Sequence, residues 1–304
     1  MQANLGGSLS DTGSHNGIVA AYSYAARYIY SDVVVQNDNF LRLTASADEY
    51  QTPLSAEVLT KPACRTVWFL DVSGNITHRA RVTTPHQELT ILSIGVVRFG
   101  SPREYPGDIG MGEFAPGSSL EQYLTATPLV HPDQLAESAR SIVGDSPSLV
   151  ESVEKITDWV YRNVQYTKSS TTVDTTAEEV MSAGAGVCQD MAHLALGLLK
   201  ALGIPSRYVC GLLTTEVGET HAWLEFWHPE LGWIPSDPTR GQAVAHHGEL
   251  IKFAVGRDYT EASPVSGAFV SRGSGGLEVA LAQVRFDRDS VTFDDALDLI
   301  ASQE

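Results

Sequence analysis

The chain is poor in cysteine: 304 residues hold three, Cys64, Cys188 and Cys210. None forms a Cys-x-x-Cys pair, so no structural zinc site or other metal site is expected. So sparse and odd a number argues against a disulfide framework and suits a reducing, cytoplasmic location. No apolar run reaches the roughly 18 residues of a membrane-spanning helix, so no span is expected. Basic residues are also few, 20 Lys and Arg against 37 Asp and Glu. The deficit is uneven: 8 against 11 in residues 1–120, and 12 against 26 in residues 121–304. That acidity argues against nucleic acid and acidic membrane surfaces as partners. It mildly favours cationic or amine-bearing substrates, although an acidic, soluble surface is the better account of it. No sequence signal calls for a cofactor.

What remains is a globular composition, 43% hydrophobic, long enough for two domains. Residues 1–17 are polar and Gly/Ser-rich, without a charged-then-apolar signal pattern, and read as a flexible tail. Residues 18–118 read as an antiparallel, sandwich-like β domain. Strand patterns at Arg65–Leu70, Ile76–Val82 and Leu89–Phe99 are separated by turn residues such as Asp71, Ser73, Gly74 and Asn75. Gly100–Gly117, rich in Pro and Gly, is the expected linker.

Helical signals follow, and residues 119–285 read as an α+β domain closed by an acidic tail, 286–304. His131–Val143 is the first helix. Ser146 and Pro147 look like the start of the second, whose apolar stripe is Leu149, Val153, Ile156, Val160 and Val164. Thr175 or Thr176, each with a glutamate three residues on, starts a short helix ending near Gly184.

Cys188 opens the next helix. Met191, Leu194, Ala195, Leu198, Leu199 and Leu202 form its apolar stripe, and Gly203 and Pro205 stop it. A helix N-terminus presents unpaired N–H groups and a positive dipole end. A thiolate is an anion suited to that place, and the same N–H groups can receive an oxyanion. On placement alone, packing like alanine is the favoured reading of such a cysteine, as expected of Cys210 inside the apolar strand Arg207–Leu213.

His221–Trp227 alternates with period two and sets His221, Trp223, Glu225 and Trp227 on one face. His228–Gly232 turns the chain back. A turn centred on Pro229 places His221 opposite Asp237, and that pair would be a base with its orienting acid. A strand histidine beside a turn aspartate is the plainer alternative. Asp190 reads as a first-turn carboxylate, His193 as a packing histidine and Tyr166 as a core tyrosine, with a second oxyanion donor near the thiol as its alternative. His246 and His247 point to opposite faces of a strand and read poorly as metal ligands.

GVCQDMAHLALGLLKALGIPSRYVCGLL (Gly186–Leu213), HAWLEF from His221 and GWIPSDPTRG (Gly232–Gly241) occur in that order. Together with GRDY (Gly256–Tyr259) and TTPHQEL (Thr83–Leu89) they resemble the bacterial transglutaminase-like cysteine proteases, over residues 20 to 285. The resemblance implies a papain-like α+β core behind a β-rich N-terminal domain. It implies Cys188 as nucleophile, His221 as base and Asp237 as orienting acid, acting on a peptide or protein amide. Cys210 stands where the family usually has a small residue such as serine. Amide hydrolysis through a thioester is the first reading and amine transfer the second; the intact Cys188, His221 and Asp237 argue against a non-catalytic binding module on the same fold.

Overall fold

The computed structural model describes residues 18–101, 107–145, 148–215 and 220–286. The expected tails and the Ser146–Pro147 helix start fall outside the described residues, apart from Phe286, which closes the last strand. Six strands come first: β1 (Val19–Val34), β2 (Gln36–Leu41), β3 (Gln51–Lys61), β4 (Thr66–Leu70), β5 (Ile76–Val82) and β6 (His86–Phe99). Helices α1 (Pro132–Val143) and α2 (Leu149–Asn163) lead to β7 (Gln165–Tyr166), α3 (Ala177–Ala183) and β8 (Ala185–Gly186). Helix α4 (Cys188–Ala201) precedes β9 (Ser206–Leu213), β10 (His221–His228), β11 (Gly232–Ser236) and β12 (Leu250–Gly256). A short α5 (Tyr259–Ala262) then leads into β13 (Val265–Val270) and β14 (Gly275–Phe286).

Two four-stranded antiparallel sheets form the sandwich, ordered β14-β1-β6-β3 and β13-β2-β5-β4. The boundaries therefore differ from those read off the sequence. β14 pairs with β1 from Val19↔Phe286 to Tyr30↔Gly275, and β13 pairs with β2 from Val265↔Leu41 to Val270↔Gln36. The end of the segment expected to be catalytic thus returns to the N-terminal sheets. The physical reason is that β1 and β2 would otherwise expose unpaired strand edges. Such pairing, across some 240 residues, leaves no local trace in the sequence.

The third sheet, β11-β10-β9-β12, is covered on both faces. Ala222, Leu224, Phe226 and Cys210 share a core with α1, α2 and α4. Leu212, Ile251 and Phe253 belong instead to the core of the sandwich, where Phe253 packs on Tyr22 at 4.9 Å between ring centroids. This double cover explains why β10 is buried at seven of its eight positions. Helix α4 is buried all round from Asp190 to Lys200, not along one stripe only. Gly197 is a reason: a Cβ there would lie 2.5 Å from Leu135, so α1 can press directly on the α4 backbone. Each large apolar side chain so buried contributes about 1.5–3 kcal/mol. Among the described residues no helix is long and apolar enough to cross a membrane.

One buried charge cluster pins β10 to its neighbours. Glu225 is 1% exposed, pairs with Arg207 at 2.6 Å and also contacts Lys252, which in turn contacts Asp48 of the sandwich. Burial alone would raise the Glu225 pKa, but the two cations outweigh it and hold the carboxyl at about 2.

Candidate active site

Cys188 is the first residue of α4, and three local features set it there. Val187, in extended conformation, is the N-cap, and its N–H donates to Asp190 Oδ2 at 2.7 Å. Thr171 Oγ1 donates to the same oxygen at 2.6 Å, tying the 167–175 loop to the start of the helix. Gly186 is required beside them, because a Cβ would fall 2.6 Å from that of Asp190. The pairing of β7 with β8, and the bond from Thr167 N–H to the Gly186 carbonyl, hold the approach in place. Asp190 is thus a buried helix-start carboxylate, and burial raises its pKa against those two hydrogen bonds.

His221 begins β10 and Asp237 follows the last residue of β11. His221 Nε2 donates to Asp237 Oδ2 at 2.7 Å, since a carboxylate can only accept. The hairpin register differs from the expected one. Leu224 pairs with Ser236 and His228 with Gly232, so the turn centres on Glu230 rather than Pro229. By extension Asp237 falls opposite Trp223 and diagonal to His221. Moving the centre by one residue moves every facing partner by two, which preserves the face, and a diagonal neighbour stays within side-chain reach. The Asp237 carboxylate is fully buried, and its Oδ1 accepts from Thr239 N–H at 3.1 Å. Its backbone bridges Gln242 in both directions, at 2.7 and 2.9 Å.

The ring of His221 lines the same cavity as Cys188, and the thiol is near enough to help raise the ring's pKa. With Nε2 turned to Asp237, Nδ1 is the nitrogen left for the sulfur. Burial disfavours the imidazolium, yet the bond to Asp237 and the neighbouring Cys188 overcome this and raise the His221 pKa to about 9. Trp223, 1% exposed, sets its indole nearly parallel to the ring, with centroids 6.1 Å apart.

A cavity of about 570 Å³ opens over the sulfur. Its lining includes Cys188, His221 and Cys210, together with residues that sequence reasoning missed: Tyr24 and Tyr28 of β1, and Tyr208 and Tyr259. The alternating tyrosines of β1, Tyr22 to Tyr30, were the legible signal for a strand with one aromatic face. Tyr166 also lines the cavity and is 44% exposed, so it is not the core tyrosine expected. His193 packs as expected. It is fully buried and stacks near Tyr208 at 4.8 Å, and its Nε2 accepts from Tyr259 N–H at 3.1 Å. Burial depresses its pKa to about 4, so it stays a neutral acceptor that positions Tyr259. Away from the cavity, His246 contacts Gln242 and Glu249, and His247 packs edge-on against Phe99.

Comparison with known proteins agrees with this architecture. Residues 136–238 match the transglutaminase-like superfamily, and residues 21–98 match the bacterial transglutaminase-like N-terminal region. The chain carries a transglutaminase-like core behind a bacterial transglutaminase-like N-terminal region, and the grouping of Cys188 with His221 is consistent with cysteine-based catalysis. An uncharacterized protein of Mycobacterium leprae is 29% identical over 276 residues, covering 86% of this chain and 97% of its own. The crystal structure of a candidate cysteine protease from Cytophaga hutchinsonii superposes with a TM-score of 0.75 at 24% identity, covering 91% of this chain and 93% of its own. A protein-glutamine gamma-glutamyltransferase of Pseudomonas aeruginosa is 37% identical over 65 residues, covering 18% of this chain and 10% of its own.

Proposed function

We propose that the protein is a cysteine-nucleophile amide hydrolase, acting on a peptide or protein amide through a thioester on Cys188. The observation that carries this reading is one constellation in one cavity. Cys188 stands on a helix N-terminus and shares its cavity with His221, whose Nε2 is held at 2.7 Å by buried Asp237. In the first half-reaction Cys188 Sγ, having passed its proton to His221, attacks the amide carbonyl carbon. The oxyanion is received by the Cys188 N–H at the head of α4. The C–N bond breaks, the amine leaves with the proton from His221, and an acyl thioester remains. In the second, a water gives its proton to His221 and attacks the thioester, which releases the acid and the free thiol. Asp237 keeps the ring oriented and stabilises the imidazolium in both halves.

Water can reach the thioester, because the mouth of the cavity is exposed at Tyr166. Amine transfer is the second reading, favoured by the short match to the gamma-glutamyltransferase. It differs only in that an amine replaces the water.

Thiol labelling tests the constellation. At pH about 6, iodoacetamide is expected to modify Cys188 well before Cys64 or Cys210, because only Cys188 has an imidazolium and a helix N-terminus beside it. Cys210 is 3% exposed, and burial together with nearby Cys188 pushes its thiol up to about 12. Peptide mass spectrometry after brief exposure reads the order, and equal labelling of all three cysteines would sink the reading. Product analysis on a labile amide, with and without added primary amine, then separates acid release from transfer.

A further inference from the structure

Resting on the thioester reading, we infer that the Cys188 cavity selects an uncharged acyl group bearing an aromatic or branched apolar side chain. The selecting wall is supplied by the β sandwich, chiefly Tyr28 and Leu277. The register of β1 against β14 sets Tyr28 opposite Leu277 and Ala26 opposite Val279, so these residues share one face of one sheet. Tyr28, Leu277 and Val279 all line the cavity, and Val265 of β13 joins them. Leu277 is 54% exposed and Val279 41% exposed, an apolar surface left open beside a reactive thiol. Apolar residues gathered at a cleft mouth mark a place where something apolar sits. Opposite stand Tyr208 and Tyr259, so the space in front of the sulfur is walled by phenol rings and aliphatic side chains.

Charge supports the same conclusion. Among the described residues lining the cavity, Lys168 is the one charged side chain besides His221, and it lies exposed. Burial raises the phenol pKa of Tyr24, Tyr28 and Tyr208, so the tyrosines stay neutral. An ammonium on the acyl side would lose its hydration without gaining an anionic partner, which costs several kcal/mol, and the cations a carboxylate could meet are exposed Lys168 and the His221 ring already paired with Asp237. An aromatic side chain meets rings at stacking and edge-on distances, and a branched aliphatic one buries its surface against them. A volume of about 570 Å³ accommodates such a group together with the flanking peptide. The sandwich therefore helps to recognise the substrate as well as flanking the catalytic layer.

The test has two arms. In the first, p-nitrophenyl esters of N-acetyl-phenylalanine, -leucine, -alanine and -aspartate acylate the wild-type chain, and the nitrophenolate burst gives each acylation rate. In the second, the matching N-acetyl amino-acid amides bind the Cys188→Ala chain, followed by calorimetry. Phenylalanine and leucine are expected to exceed alanine by about 10–200-fold in both arms, with aspartate last, as a hydrophobic pocket discriminates. Tyr28→Ala and Leu277→Ala should each lower the phenylalanine-to-alanine ratio by about tenfold or more, whereas loss of structure would lower both rates together. Acylation with a flat or aspartate-first order overturns the pocket assignment and leaves the thioester reading standing. Ordered binding to Cys188→Ala without any acylation of the wild type supports the pocket and overturns the thioester. A ratio indifferent to both substitutions also overturns the assignment.

Discussion

Cys188→Ala is expected to abolish amide turnover while leaving the fold intact. The Cys188 thiol is the nucleophile of the proposed path, placed at a helix N-terminus in the cavity of His221, so losing it removes that path. Removing the nucleophile of a triad enzyme costs about 10⁶-fold in kcat, and activity should fall to background here. The substitution shortens the side chain by one sulfur at a partly buried helix start, and alanine is the best helix former. The stability cost should be about 1 kcal/mol or less, a change of a few degrees in Tm. Circular dichroism melts beside initial rates on the same preparations check both halves. Turnover retained at even a tenth of wild type would mean that another group carries the chemistry.

Asp237→Asn should give the second largest effect, through His221. The amide keeps the shape of the carboxylate but offers less charge to the imidazolium and favours the wrong ring tautomer. In a serine triad this change costs about 10⁴ in kcat. A cysteine ionises more readily than a serine, so a loss of about 10²–10³ is expected. The pH profile gives a second readout. His221 is protonated below about 9, so a reaction that needs the imidazolium should hold its rate as pH rises and lose it as pH passes about 9. Without Asp237, burial is opposed by Cys188 alone, and the alkaline limb should move down towards the ordinary histidine value of about 6.5. A loss of kcat with the limb still near its wild-type position would mean that Asp237 only holds the hairpin.

The parts of this fold that were legible in the sequence are those governed by local rules. Helix α1 begins one residue after its expected start, because Pro132 suits a first helical turn. Thr176, rather than Thr175, caps α3, with the reciprocal bond to Glu179 in place. Cys188 opens α4 as its stripe and glycine approach required. Strand β5 falls where alternation and turn residues placed it, β4 starts one residue later than expected and β6 three residues earlier. The parts not legible depend on pairing at a distance. β13 and β14 show strand-like composition, but nothing local says that they close the sandwich beside β2 and β1. Expecting His221 beside Asp237 survived an error of one residue in the turn centre, because both registers share parity. Glu225 illustrates the opposite case. Its place in a period-two strand was plain, yet its burial between Arg207 and Lys252 required the neighbouring strands to be known. The tyrosine wall needed them as well, since β1, β9 and α5 each bring a part of it.

The central claim, a thioester on Cys188, is tested most directly by intact-protein and peptide mass spectrometry of the chain quenched in acid during turnover of an activated acyl substrate. The account predicts one added acyl mass, carried on the peptide containing Cys188, absent from Cys188→Ala and removed by hydroxylamine. Sustained turnover with no acyl adduct, or an adduct that persists on another residue in Cys188→Ala, would contradict it.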